Sequence, residues 1–372
     1  MKLLRILVFP ISLLYGVIVF FRNKLYDWRL LSSTEFTIPT ISVGNLSIGG
    51  TGKTPHIEYL VRLLKPEFYI ATLSRGYGRK TRGFILSDTQ SSVADIGDEP
   101  LQYKKKFNGL RVAVDESRVR GIKKLLENFP SLQAVLLDDA FQHRAIKSGL
   151  SIVLTDYSKT YLKDYMMPSG ALREFRCGIQ RADIIIVSKC PEILLAIERK
   201  RLINAINPLP YQNLYFSYIK YGDFIPLYTN NNPFTKEYYI EHNYSALLLT
   251  GIANTRNLEH YLKEKLKQIV PAKFPDHHQF TKSDLGKVKE LFNTITSQNK
   301  IILCTEKDAM RLQTPELKTI LDTLPVFYMR IEVCFHDKDK DARLNEGVGQ
   351  EFNEKILHYV RANQKNSSIH TK

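Results

Sequence analysis

One stretch limits the folds open to this chain more than any other. Strand-forming residues 40–43 run into Gly44-Asn45-Leu46-Ser47-Ile48-Gly49-Gly50-Thr51-Gly52-Lys53-Thr54, and helical spacing follows over residues 56–64. Strand, glycine-rich turn and helix N-terminus, in that order, make a phosphate-binding loop. Glycines let backbone N–H groups turn inward onto phosphate oxygens at the start of a helix. The cradle expected here runs from Ser47 and Ile48 through Gly49, Gly50, Thr51 and Gly52. Lys53 would reach the β- and γ-phosphates of ATP, and the Thr54 hydroxyl would ligate Mg²⁺. Pro55 suits the first helical turn, where its missing N–H costs nothing. The strict pattern places glycine five residues before Gly52. Ser47 stands there instead, and Gly49 and Gly50 are left to supply the flexibility.

Such a loop needs a metal carboxylate at the end of another apolar strand. Ala134-Val135-Leu136-Leu137-Asp138-Asp139 supplies one, with Asp138 the better placed and Asp139 second. Either acid could also serve as an ordinary turn or helix-capping residue.

Further strands are expected at residues 69–73, 110–114, 134–137, 151–154 and 184–187, with helices at 56–64 and 117–128. Strand–helix alternation over this span means a parallel sheet covered by helices. After Pro208 the pattern changes. Residues 211–228 are aromatic and alternate polar with apolar, like a hairpin or extended linker. Residues 228–233, YTNNNP, are loop chemistry. A second α/β run follows, with strands at 246–250, 300–304 and 325–329 and helices near 257–269 and 282–297. The expected organisation is a membrane-associated helix (1–28), a P-loop domain (29–210), a β linker (211–240), a smaller C-terminal α/β domain (241–362) and a disordered tail (363–372). The fold class is α/β: a P-loop-type parallel sheet flanked by helices, a second smaller α/β domain, and an N-terminal membrane-associated helix.

Charge narrows the partners. Lys and Arg total 53 against 38 Asp and Glu, a net +15. That excess suits a polyanion: nucleic acid, anionic headgroups or a phosphorylated substrate. The 16 residues 6–21 carry no charge, with Lys2 and Arg5 before them and Arg22 and Lys24 after. No small-residue cleavage site follows, which argues against a signal peptide. The run is short of the roughly 20 residues needed to span a bilayer, and Pro10 interrupts it. A helix lying in the interface, its basic flanks on anionic lipid, fits better. Cys177, Cys190, Cys304 and Cys334 are scattered without C-x-x-C spacing, so neither a zinc site nor a disulfide framework is expected.

Parallel sheets place their sites beyond the carboxyl ends of strands. Several polar blocks fall there. Ser74-Arg75-Gly76-Tyr77-Gly78-Arg79 suits an anionic ligand. Gly97-Asp98-Glu99-Pro100 puts two acids in an expected turn. A hydroxyl acceptor in phosphoryl transfer needs a carboxylate to take its proton, although from spacing alone turn chemistry is the better explanation of these acids. Gln142-His143-Arg144 follows the strand-end acids. Leu172-Arg173-Glu174 follows a Pro168-Ser169-Gly170 turn. Asp276-His277-His278 lies in the second unit, and its histidine pair does not have zinc spacing.

Together these blocks resemble the tetraacyldisaccharide 4′-kinase family of lipid A biosynthesis. The resemblance rests on the loop from Val43 to Pro55, Ser74 to Gly78, Gly97 to Pro100, Asp138-Asp139-Ala140-Phe141-Gln142-His143, Leu172 to Glu174, Phe274-Pro275-Asp276-His277 and Thr305-Glu306-Lys307-Asp308-Ala309. The blocks keep the family's order across residues 40–310. The resemblance implies transfer of the ATP γ-phosphate to the 4′-hydroxyl of an acylated glucosamine disaccharide 1-phosphate. It further implies two α/β domains joined by a β linker, at the cytoplasmic face of the inner membrane. By motif, Asp98 is the implied general base and His277 its orienting partner. Thr54, Asp138 and Asp139 would hold Mg²⁺, with Glu174 supporting the metal. Lys53 and Arg173 would stabilise phosphate charge, and Arg118 and His143 are further candidates. Ala140 replaces the family's usual glycine, and Phe175 its usual proline. The implied partners are the lipid A disaccharide precursor and an anionic membrane surface, with no nucleic acid and no obligate protein partner.

Two other readings compete. A membrane-surface regulatory ATPase would carry a second lysine before its paired glycines, where Ile48 stands. A nucleic-acid binder would show a recognised module or aromatics interleaved with basic residues, and neither appears.

Overall fold

The computed structural model describes residues 2–228, 234–336 and 348–369. The strands are β1 Thr40–Asn45, β2 Ile70–Ser74, β3 Ile85–Leu86, β4 Arg111–Val114, β5 Ala134–Asp138, β6 Leu150–Asp156, β7 Ile184–Cys190, β8 Asn213–Pro226, β9 Ser245–Thr250, β10 Gln268–Lys273, β11 Lys300–Thr305 and β12 Val326–Phe335. The helices are α1 Lys2–Asp27, α2 Lys53–Leu64, α3 Val93–Ile96, α4 Asp98–Lys106, α5 Arg118–Asn128, α6 Ala196–Ile206, α7 Lys236–Glu241, α8 Arg256–Lys265, α9 Lys282–Asn293, α10 Glu306–Leu312, α11 Pro315–Leu321 and α12 Val348–Ile369.

All twelve strands join one sheet, in the order β10-β9-β11-β12-β8-β7-β6-β1-β5-β2-β4-β3. Neighbours run parallel except β12 against β8 and β4 against β3. β1 and β5 lie in the middle of the first half and are buried along their whole length. Burial on both faces is what helices covering a parallel sheet produce, and it explains their near-continuous apolar sequence.

The stretch after Pro208 is not a hairpin. It is the 14-residue strand β8, parallel to β7 at its start and antiparallel to β12 further on. Its alternation reflects a strand half-covered on each face, and it carries the sheet from one half to the other. Residues 229–233 of the expected loop lie outside the described residues.

Three further expectations need correction. The helix expected over 257–269 stops at Lys265, and Gln268–Lys273 forms edge strand β10. Pro271 is tolerated there because an edge strand leaves one side unpaired. The end of the chain does not belong to the second unit. Phe352, Ile356 and Val360 repeat every four residues along α12 and are buried against Ile41, Ile57 and Tyr215 of the first core, as an amphipathic helix requires. Residues 363–369, expected in a disordered tail, continue α12; residues 370–372 lie outside the described residues.

α1 is longer than its apolar run, at 26 residues, and continues through Pro10. At about 1.5 Å per residue it extends about 39 Å. Leu7–Asp27 is long and apolar enough to cross a membrane by length and composition. One face docks on the protein. Ser12 Oγ donates to Ser169 Oγ at 2.8 Å, and Tyr15 Oη donates to the Arg173 carbonyl at 3.0 Å. A Cβ on Gly16 would stand 2.7 Å from Phe175 Cζ, so glycine permits this contact. Leu7, Ile11, Leu14, Ile18 and Phe21 on the outer side are exposed.

Candidate active site

β1 delivers the phosphate loop to the carboxyl edge of the sheet. Gly52, at φ 85°, is the left-handed residue before α2, a conformation glycine adopts without penalty. Asn45 Nδ2 donates to Thr51 Oγ1 at 2.9 Å, and Ser188 Oγ donates to the Thr51 carbonyl at 2.7 Å. The Lys189 ammonium donates to the Gly50 carbonyl. His56, one turn into α2, meets the Gly52 carbonyl at 2.7 Å and Ser217 Oγ at 3.0 Å. Burial lowers its pKa to about 4, so it packs as a neutral ring.

The first part of the loop does something else. Ser47 bridges antiparallel to Leu172, and the Ile48 N–H donates to the Ala171 carbonyl at 2.7 Å. That donor is therefore taken, as is the Thr51 N–H, which donates to the Gly49 carbonyl at 2.9 Å, and the candidate cradle narrows to the other N–H groups of Gly49–Thr54. A residue paired as extended strand needs no glycine, which accounts for serine at position 47.

β5 ends at Asp138, as its sequence indicated. Tyr103 Oη donates to Asp138 Oδ2 at 3.0 Å, while Asp138 Oδ1 is buried without a partner. Burial, with the Glu99 charge beside it, raises the Asp138 pKa to about 7. An orphaned carboxylate oxygen held up in this way fits an absent cation, which would reverse the shift. Among the described residues no three His, Cys, Asp or Glu side chains form a ready cage. That suits Mg²⁺, which is held by one or two carboxylates, waters and substrate phosphates.

Asp139 follows at φ 48°. Its Oδ1 receives Arg173 at 2.8 Å and lies 3.6 Å from Lys53 Nζ. Burial pushes its pKa up, but these two cations outweigh that and hold it low. Arg118 is buried under both acids, donating to the carbonyls of Asp115 and Asp138 at 2.7 and 3.1 Å. His143 lines the same cavity; burial, then the Arg118 charge, lowers its pKa to about 4.

Glu174 does not join the metal group. Its carboxylate accepts from Gln142 and Arg181 on Oε1, and from Asn23 and Arg181 on Oε2, all within 3.0 Å. Three donors, with one Arg181 nitrogen shared between the two oxygens, occupy the carboxylate on both sides. Glu174 instead ties α1 to the segment that follows Arg173.

The expected turn around Asp98 is a helix start. Gly97, at φ 91°, precedes α4, and Asp98 is its first residue. The second half of the sheet supplies its partners. β10 ends at Lys273 and leads into His277; Gly251, just past the end of β9, accepts the His277 N–H on its carbonyl at 3.1 Å and holds His277 at φ 57°. His277 Nδ1 then meets Asp98 Oδ2 at 2.9 Å, 179 residues away in sequence. Burial favours the neutral acid at Asp98. The His277 hydrogen bond and the Lys307, His277 and Arg311 charges outweigh it, and the pKa is lowered. The Asp98 hydrogen bond raises His277 against its burial. Next to Asp98, Glu99 accepts the Thr54 hydroxyl at 2.9 Å and pairs with Lys307.

A cavity of about 350 Å³ opens over these groups, with Glu99, Asp138 and Asp139 among its acids and Arg22, Arg75, Arg118 and Arg173 among its bases. Tyr77 stands at its rim, 5.0 Å ring to ring from His277. A smaller cavity of about 230 Å³ beyond β9 contains none of these carboxylates.

Sequence reasoning missed several residues that the fold brings in. Tyr15, Val19, Arg22 and Asn23 of α1 line the cavity; their signal was the three- and four-residue spacing of Ser12, Tyr15, Gly16 and Val19 within an otherwise bulky apolar run. Glu99 looked like half of a turn pair. Lys189 is the last residue but one of β7, and Lys307 and Arg311 lie on α10 just after β11, all without any loop signature.

The family model for tetraacyldisaccharide-1-P 4′-kinase matches residues 4–348. The chain belongs to that family. It is 43% identical to the tetraacyldisaccharide 4′-kinase of Bacteroides thetaiotaomicron, over 97% of this chain and 94% of that protein. Identity to the enzyme of Flavobacterium johnsoniae is 40%, over 98% and 99%. Among solved structures it resembles LpxK from Aquifex aeolicus in complex with ATP, with a TM-score of 0.71 and 27% identity over 96% of this chain and 99% of that one. As a tetraacyldisaccharide 4′-kinase, the chain is an ATP-dependent phosphotransferase acting on a lipid A precursor.

Proposed function

We propose that this kinase transfers the γ-phosphate of ATP to the 4′-hydroxyl of tetraacyldisaccharide 1-phosphate with Asp98 as general base. The observation that carries the assignment is the 2.9 Å contact between Asp98 and His277, made across the two halves of the sheet and beside the phosphate loop. As the hydroxyl oxygen bonds to the γ-phosphorus, the bond from phosphorus to the β–γ bridging oxygen breaks and ADP leaves. The hydroxyl proton passes to Asp98, whose orientation His277 fixes. Lys53 and Arg173 stabilise charge gathering on the transferred group. Gly49–Thr54 position the triphosphate through backbone N–H groups. Thr54, Asp138 and Asp139 would hold Mg²⁺, which when bound neutralises phosphate charge.

Residues 29–210 act on this reading as the nucleotide-binding unit. Residues 211–240 are the β connection, and 241–336 are the unit that brings His277 to the acceptor. The exposed apolar side of α1 lies in an anionic bilayer at the cytoplasmic face of the inner membrane. Its docked side lines the cavity, where a headgroup would enter.

The test uses the full chain in detergent with Mg²⁺-ATP and tetraacyldisaccharide 1-phosphate. The expected product is the 1,4′-bisphosphate and ADP in equal amounts. Free phosphate alone would remove the kinase assignment. Unchanged turnover in Asp98→Asn would remove only the base.

A further inference from the structure

The second half of the sheet brings three charged side chains of α10 toward the first half, and they sit in different surroundings. Glu306 is buried. Its carboxylate accepts Lys106 Nζ at 2.7 and 2.9 Å, and the same ammonium lies 2.7 Å from Glu58 on α2, the helix of the phosphate loop. Arg311 is also buried, donating to the carbonyls of Gly251 and His278 at 3.0 and 3.3 Å, with its Nε 3.5 Å from Asp98 Oδ2. These two groups hold the halves together. Lys307 keeps 27% of its side chain exposed, against 6% for Glu306 and 1% for Arg311. It reaches Glu99, the residue that accepts the Thr54 hydroxyl and follows Asp98.

We propose that Lys307 is a positioning residue for phosphoryl transfer, fixing Glu99 so that the nucleotide end of the site, at Thr54, and the acceptor end, at Asp98, are set by one side chain. The inference rests on the reading of Asp98 as base. Two features support it beyond the contact itself. The Glu306–Lys106–Glu58 group already joins α10 to α4 and α2, so Lys307 is not needed as a clasp. Asp98 and Glu99 are adjacent acids, and the Glu99 charge also acts on Asp138; like charges this close repel strongly where water is scarce. Of the two second-half cations at this acid cluster, Lys307 and Arg311, Lys307 is the less buried. Without it, Glu99 is free to turn toward other donors. The Thr54 hydroxyl then loses a fixed acceptor, and Asp98 loses the backbone and charge setting of its neighbour. Misplacement of a reacting group by about 1 Å is enough to cost about a hundredfold in rate.

The experiment compares Lys307→Met and Lys307→Arg in the full chain, in detergent, with Mg²⁺-ATP and tetraacyldisaccharide 1-phosphate. Asp98→Asn is run in parallel. Lys307→Met should lower kcat by at least about thirtyfold and leave KM for ATP within about threefold. Lys307→Arg should recover most of the loss, because the charge and reach are kept. The proposal is overturned if Lys307→Met keeps kcat within twofold of the parent. It is equally overturned if the loss lies in KM for ATP alone, or if arginine restores nothing. Should Asp98→Asn retain full turnover, the base assignment falls by itself, and the Lys307 result still reports whether this lysine sets the rate.

Discussion

The two halves of the sheet use the same position, the carboxyl ends of parallel strands, for opposite kinds of work. In the first half, β1 ends in a loop whose function is backbone: glycines at φ 121° and 85° bring N–H groups round to phosphate. In the second half, the segments after β10 and β11 carry side chains held by rigid packing. His277 is fixed in a left-handed conformation by its N–H bond to Gly251, and Arg311 is buried beneath it. Phosphates have many oxygens and tolerate a yielding cradle. A proton acceptor has one direction of approach and needs a stiff support. The difference in side-chain freedom therefore follows from the different ligands.

The largest break in this comparison comes from removing the charged side chain that the phosphate loop itself supplies. Lys53→Ala should lower kcat on the order of a thousandfold, as loss of a cation on the transferred group does. The chain should remain folded, since among the described residues Lys53 makes one ion pair, with Asp139 at 3.6 Å. Single-turnover phosphorylation of the lipid measures the first; an unchanged unfolding midpoint checks the second.

The clasp between the halves is the next largest effect. Lys106→Met leaves Glu58 and Glu306 buried and without their shared cation. Breaking a buried pair in this way costs about 3 kcal/mol or more, and urea unfolding should show it. A variant as stable as the parent would mean that water reaches both carboxylates. Lys106→Met with Glu58→Gln and Glu306→Gln should recover part of the loss, because neutral amides are less costly to bury than unpaired charges.

The same contrast explains what could be read in advance. Backbone function leaves a local trace: a strand, a glycine-rich turn and a helix start lie within one window, and the loop, β5 and its terminal acids were placed from residues alone. Side-chain function built from two distant strand ends leaves none. Asp98 and His277 are 179 residues apart, and only resemblance joined them. Glu174 shows the reverse error. Its block matched a family motif, yet its oxygens are taken by Asn23, Gln142 and Arg181, and no sequence window shows three donors converging from α1, the loop after β5 and the loop before β7. α12 was misplaced for a related reason: an apolar stripe declares that a helix packs, but not on which core.

The smallest expected effect concerns how the rigid half grips the base, and it depends on pH. His277 has its folded-state pKa raised by the Asp98 hydrogen bond, with Asp98 and Asp276 attracting its charge and Lys307 and burial opposing. A histidine raised in this way contributes stability below its unfolded pKa of about 6.5, and loses it as pH climbs through the folded value. Asp98 shifts the other way. Its lowered pKa means a contribution present above about 3.8 and lost only as pH falls below that. Between these limits both partners are charged and the grip is strongest. His277→Gln should therefore destabilise the chain at pH 6 and do so progressively less toward pH 9, where the parent has lost the same charge. Urea unfolding of both proteins at the two pH values measures the difference. A destabilisation of equal size at both would show that the ring acts through its packing on Tyr77 rather than through charge. Turnover would then be expected to follow the shape of the side chain at 277, and not its proton.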